Sequence, residues 1–195
     1  MIFVYSGGIL FIRDSSNLQY VTTATTILFY YSKTLTKAGV GSIQCGSTQF
    51  TVSQIRNFAK SQVKKLNYPA SLVLYTNTMF LTNRFDIQVD YILGNNPLKM
   101  SYMVGFGTKY PTQPHHRGSS LPSIQSKPEK IDCNGGFSYY NFDTPNPNVH
   151  TGAIVGGPNS SDQYSDKRTD YSHAEPTTYI NAAFIGSVAA LISSS

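Results

Sequence analysis

Residues 95–175 constrain the fold more than any other part of this sequence. They hold all four histidines and most of the proline and glycine, with little helical periodicity. A run this long without regular structure is either functional or disordered. Its aromatic content (Tyr102, Phe106, Tyr110, Phe137, Tyr139, Tyr140, Phe142, Tyr164, Tyr171) argues for ordered functional loops. Helical patterns flank it. Leu18, Val21, Ala24, Ile27, Leu28, Tyr31 and Leu35 recur at three- and four-residue steps, which predicts a helix over 15–38. Asp14, Ser15 and Ser16 offer N-cap oxygens, and Gly39 follows the last turn. The threonines at 22, 23, 25 and 26 are poor helix formers, so tertiary packing must hold this helix. Residues 39–51 read as a Gly/Ser-rich loop. A second helix opens at Thr51 or Ser53 with Ile55, Phe58 and Ala59 on one face. A last helix has Pro176 in its first turn and Ile180, Ala183, Phe184, Val188 and Leu191 along its apolar face. The expected fold class is all-α, with helices carrying long ordered loops.

The second helix meets an anomaly. Pro69 should stop it, Leu72–Leu81 is apolar and strand-like, and Val89-Asp90-Tyr91-Ile92-Leu93 again looks helical. Deleting 63–88 and rejoining Gln62 to Val89 gives one continuous amphipathic stripe from Ile55 to Leu93, ended by Gly94. Gln-Val stands at both junctions, Gln62-Val63 and Gln88-Val89, and its codons can contain a splice junction. Residues 63–88 are therefore expected to be foreign to the fold, a retained intron; the alternative is a genuine surface loop.

Charge narrows the function classes. Only 13% of the 195 residues are charged, and 40% are hydrophobic, so charge-driven disorder is excluded and a core is available. The net charge of +5 is scattered (Arg13, Lys33, Lys37, Arg56, Lys60, Lys99, Lys109) without a basic stripe, so no nucleic-acid partner is expected. Cys45 and Cys133 lie far apart with no metal or redox spacing, and no cofactor or metal is expected. Asn159-Ser160-Ser161 is a glycosylation sequon that hints at secretion. Met1–Phe11 is neither a signal peptide nor long enough to span a membrane, so the chain is expected to start mid-protein.

Two clusters could carry chemistry. Ser101–Ser120 places His115, His116 and Arg117 on a Gly/Pro loop, where they could donate to hydroxyls or to developing negative charge. The bland alternative is a solvated polar loop. Asp162–Asn181 gathers Asp162, Asp166, Asp170 and Glu175 beside tyrosines, just before the last helix. Paired carboxylates are what glycoside hydrolysis requires, and tyrosine faces suit stacking on sugar rings. The alternative is helix capping, since acids near a helix N-terminus are stabilised by the dipole.

Both clusters resemble the two signatures of glycoside hydrolase family 9, the plant and microbial endo-β-1,4-glucanases. The first is matched at Ser101, Met103, Val104, Gly107, Lys109, Pro114, His115 and Arg117; the second at Tyr164, Asp166, Tyr171, Glu175, Thr177, Asn181 and Ala182. Asp90-Tyr-Ile-Leu-Gly-Asn-Asn-Pro97, Pro145-Asn-Pro-Asn148 and Gly152-Ala-Ile-Val-Gly-Gly-Pro-Asn159 also look plant-like for this family. The resemblance implies Glu175 as general acid, Asp166 as its partner, and His115 as an active-site residue that binds sugar. Arg117, His116 and Tyr171 are implied as further substrate contacts. It implies an inverting mechanism whose base lies in an Asp-Ala-Gly-Asp run of the family's N-terminal half; no such run occurs here. The family domain is an α/α barrel of helical hairpins, of which residues 1–195 resemble the C-terminal portion. The partner so implied is cellulose or another β-1,4-glucan, with no membrane contact in this chain, a monomer, and a secreted, cell-wall setting for the full-length protein. The rival reading is a non-catalytic glucan-binding remnant.

Overall fold

The computed structural model describes residues 3–4, 8–63 and 91–193. The proposed insertion 63–88, with Pro69 and the apolar segment 72–81, lies outside the described residues apart from Val63. So does the rejoined helical stripe at Val89.

Three long helices frame the molecule: α1 (Asn17–Lys37), α2 (Val52–Val63) and α6 (Thr178–Ile192). Helix α1 packs against both of the others. Three short helices lie between: α3 (Arg117–Ser120), α4 (Gly135–Asn141) and α5 (Tyr171–Ala174). The helix-rich expectation holds, and two short antiparallel hairpins accompany the helices. Strands β1 (Phe3–Val4) and β2 (Leu10–Phe11) pair with Phe3 opposite Phe11. Strands β3 (Ser42–Cys45) and β4 (Thr48–Thr51) pair where the sequence suggested a loop. Gly46, at φ 59°, supplies the left-handed backbone that turns them tightly.

The helix periodicity of α1 is right, but its buried face differs from the aliphatic one. Ile27 is 60% exposed, while Thr22, Thr25 and Ser32 are buried. Burial of hydroxyls is tolerated because each finds a carbonyl within the helix: Thr22 donates to Leu18 O at 2.8 Å, Thr25 to Val21 O at 2.7 Å and Ser32 to Phe29 O at 2.8 Å. Thr26 donates across to Ala183 O of α6 at 2.6 Å, and Gly186 lets the helices approach there: a Cβ would lie 3.1 Å from Thr26 Cγ2. The N-terminus of α1 is not capped by a side chain. Ser16 takes a left-handed conformation, and its amide donates to Ser172 O at 2.7 Å. Helix α2 opens on a capping box, Thr51 with Gln54, each side chain accepting from the other's amide. Phe58 is exposed, so only Ile55 and Ala59 of its expected face are buried. Pro176 precedes α6, whose N-cap is Thr177. Tyr91–Gly94 forms a turn rather than a helix, with Tyr91 and Ile92 fully inside.

The principal core lies between α1, α6 and two extended segments, 101–104 and 152–155. Leu18, Val21, Tyr102, Ile154, Ile180 and Phe184 meet there. The segments are joined by Val104 N to Ala153 O at 2.8 Å and Val155 N to Tyr102 O at 3.1 Å. Asn181 of α6 holds the second one from both sides: its amide donates to Gly152 O at 2.7 Å and its oxygen accepts from Ile154 N at 3.1 Å. The loops of 105–175 stand on this base.

Candidate active site

The two sequence clusters meet in space. Asp166 Oδ2 accepts from the amide and hydroxyl of Thr112 at 2.8 and 2.7 Å, and Oδ1 accepts from the Gln113 amide at 3.0 Å. One carboxylate thus fastens a loop 53–54 residues away in sequence. A step further along that loop, the His115 amide donates to Ala174 O at 2.8 Å, immediately before Glu175. His115 Nδ1 lies 2.7 Å from Arg168 O. A carbonyl only accepts, so Nδ1 carries the proton and the neutral ring presents Nε2 as an acceptor. Tyr140 and Tyr171 approach that ring edge-on, at centroid distances of 5.7 and 6.1 Å.

His116 is the N-cap of α3. Its Nδ1 accepts from Ser119 N at 3.2 Å, which leaves Nε2 as the donor of the neutral ring. Its ring sits 4.4 Å from that of His150. Burial first, then the neighbouring His150 and His115, hold its pKa below the ordinary value. The Arg117 guanidinium stands 5.8 Å from the Phe137 ring centre, in cation–π range. His115, His116, Arg117 and Ser120 on one side, and Gly136, Phe137 and Tyr140 of α4 on the other, line a cleft of about 290 Å³.

Glu175 follows α5 in extended backbone, exposed, and makes no hydrogen bond or ion pair among the described residues. Tyr171, also exposed, opens the same short helix. The capping explanation for the acids fails. Thr177, not an acid, precedes α6. Asp170 stands at the N-cap of α5 without capping it; its carboxylate instead accepts from His173 Nδ1 at 2.9 and 3.0 Å. Asp162 accepts from the Tyr91 hydroxyl in the interior, and burial pushes that phenol's pKa up.

Three contributors to this site carry no spacing signal in the sequence. Arg168 is 2% exposed. Its Nε donates to Asn146 Oδ1 at 2.7 Å, Nη1 to the carbonyls of Tyr139, Tyr140 and Phe142 at 2.7–3.1 Å, and Nη2 to Thr144 O at 2.8 Å. Asn146 in turn donates to Pro114 O at 3.0 Å and Ser119 Oγ at 2.6 Å, under the histidine loop. Helix α4 brings Phe137 and Tyr140 to the cleft. Nothing in the sequence separates a buried, carbonyl-bonded arginine from a solvated one.

Among the described residues no three His, Cys, Asp or Glu side chains are grouped to hold a metal ion, and no helix is long and apolar enough to cross a membrane. Cys45 and Cys133 are both exposed and unpaired.

The family model of glycosyl hydrolase family 9 matches residues 2–188. The chain belongs to glycosyl hydrolase family 9. It is 86% identical over 189 residues to Endoglucanase 18 of Arabidopsis thaliana, covering 97% of this chain and 34% of that protein. It thus spans about a third of the length of the curated relatives it matches. Among solved structures it is similar to the endoglucanase of the termite Nasutitermes takasagoensis (TM-score 0.64, 29% identity, covering 96% of this chain and 32% of that one). It is also similar to endoglucanase CelQ of Clostridium thermocellum in complex with cellobiose and cellotriose (TM-score 0.57, 27% identity, 95% of this chain and 23% of that one). The match with cellulase domains agrees with the helix-rich fold described above.

Proposed function

We propose that this chain is the C-terminal part of the α/α-barrel catalytic domain of an inverting endo-β-1,4-glucanase that cleaves internal bonds of cellulose and related glucans. The observation that carries this reading is the direct contact of the two family signatures, through Asp166 on Thr112 and Gln113 and through His115, which lines the cleft, on Ala174 and Arg168. The endoglucanase relatives and the cello-oligosaccharides bound by CelQ support the substrate class.

In this mechanism Glu175 protonates the glycosidic oxygen as the C1–O bond breaks. A base from outside these residues takes a proton from water attacking the opposite face of C1. That Glu175 has no hydrogen-bond or ion-pair partner among the described residues suits that task, because its proton must reach the substrate. Asp166 holds the 112–113 loop rather than the sugar. His115 Nε2 accepts from a sugar hydroxyl, His116 Nε2 and Arg117 donate to others, and Tyr171 offers a ring face. We place the full-length enzyme, as a monomer, outside the cell in the wall.

Residues 63–88 are assigned to an insertion foreign to this domain.

The test is Glu175→Gln in the full-length enzyme, which should lower kcat on cello-oligosaccharides by roughly 10²–10⁴-fold. Proton NMR of the wild-type reaction should show the α-anomer forming first. Undiminished turnover by Glu175→Gln would refute the assignment. The 195-residue polypeptide alone should release reducing sugar from carboxymethylcellulose at background.

A further inference from the structure

We propose that Arg168 is a positioning residue for this reaction: its buried guanidinium ties the cleft wall of α4 to the histidine loop, while its own carbonyl fixes the proton on His115 Nδ1. The proposal rests on the reading that His115 Nε2 contacts the sugar.

Two ends of one residue act on two sides of the cleft. The side chain takes the carbonyls of Tyr139, Tyr140 and Phe142, at the C-terminal end of α4. A cation there also meets the negative end of the helix dipole. Its Nη2 and Nε reach further, to Thr144 O and Asn146 Oδ1. Every one of these acceptors is neutral, so no carboxylate bond is the reason for this arginine. What it holds is the segment 139–146, and that segment carries Tyr140 against the His115 ring and Asn146 beneath Pro114 and Ser119.

The main chain of the same residue accepts from His115 Nδ1 at 2.7 Å. With that acceptor in place, the neutral imidazole has one tautomer, which leaves Nε2 as the acceptor of a residue that lines the cleft. If the guanidinium loses its partners, residue 168 is free to shift, and the ring loses both its Tyr140 wall and its Nδ1 partner. Lysine cannot replace it. An ammonium has three donors on one atom and cannot span acceptors spread over Tyr139 to Asn146.

The experiment is a double-mutant cycle in the full-length enzyme, assayed on cello-oligosaccharides. Arg168→Lys should lower kcat/KM by about 10–100-fold, the scale of misplacing a contact by an ångström. Introduced into His115→Ala, the same change should cost less than about twofold, because its effect passes through His115. Equal losses in both backgrounds, or full activity of Arg168→Lys, would overturn the proposal. A second measurement stands apart from folding of the variants. Histidine ¹⁵N NMR of the wild type should find His115 protonated on Nδ1, and protonation on Nε2 alone would overturn it. Glu175→Gln reports the proposed reaction separately, so an active Glu175→Gln beside a non-additive cycle would reject the acid assignment and leave Arg168 in place.

Discussion

The Asp166 carboxylate is the strongest single fastening between the two signatures, and Asp166→Asn tests it with little change of shape. In either rotamer the amide sets its NH₂ against one backbone N–H, that of Thr112 or of Gln113, donor against donor, while the Thr112 hydroxyl can turn to accept. One of three hydrogen bonds is lost, that now at 2.8 or at 3.0 Å. A hydrogen bond to a charged group is worth about 1.5–3 kcal/mol net. Thr112 is exposed and water can replace part of the loss, so the lower end applies, about 1.5–2 kcal/mol. At about 1.4 kcal/mol per tenfold, local opening becomes roughly 10–30 times more frequent. Hydrogen exchange of the Thr112 and Gln113 amides in the full-length enzyme reads that number directly. The loop also bonds Asn146 N through Thr112 O at 2.9 Å, so protection there should fall too. Activity should fall with it, because His115 follows on the same loop. If both amides exchange at the wild-type rate, Asp166 is not the fastening described. If kcat is then lost all the same, its carboxylate acts on the substrate instead.

Three further outcomes follow from the same geometry. Protonating His116 removes the acceptor that caps α3, and its lowered pKa means the folded state binds that proton less readily than the unfolded chain. Its contribution is therefore intact above the ordinary pKa of about 6.5 and is lost as pH falls through and below it. His116→Asn, a cap that does not titrate, should flatten the dependence of Tm on pH between about 7 and 5; identical slopes would count against it. Gly157→Ala puts a Cβ 2.5 Å from Leu18 Cγ at a backbone φ of 94°, so it should destabilise the domain by about 2–4 kcal/mol, read as a lower unfolding midpoint in urea. Deleting 63–88 should raise solubility and Tm, and transcripts lacking those codons should be found by RNA sequencing; transcripts that always contain them, without flanking splice sites, would show a real insertion.

The long helices were legible because each repeats its apolar residues at the helical period and carries its own start or stop signal, as Thr51 with Gln54 and Gly39 do. Which face of α1 goes inside was not legible. Thr22 and Thr25 look polar in sequence, yet inside a helix their hydroxyls return to carbonyls one turn back and leave their methyl groups to pack. The β3–β4 hairpin had a signal that was passed over: two four-residue runs separated by Gly46-Ser47, a turn pair suited to tight hairpins. The two signatures named segments that the fold brings into contact, through Asp166 on Thr112 and Gln113 and through His115 on Ala174. The roles of their side chains were not legible. Asp166 and Arg168 stand two apart in an acidic run, yet one clasps a loop 54 residues back and the other is buried among carbonyls of a helix end. Contacts at that separation have no period to announce them. They exist only once the core beneath has set 101–104 beside 152–155 and brought the loops to the same face.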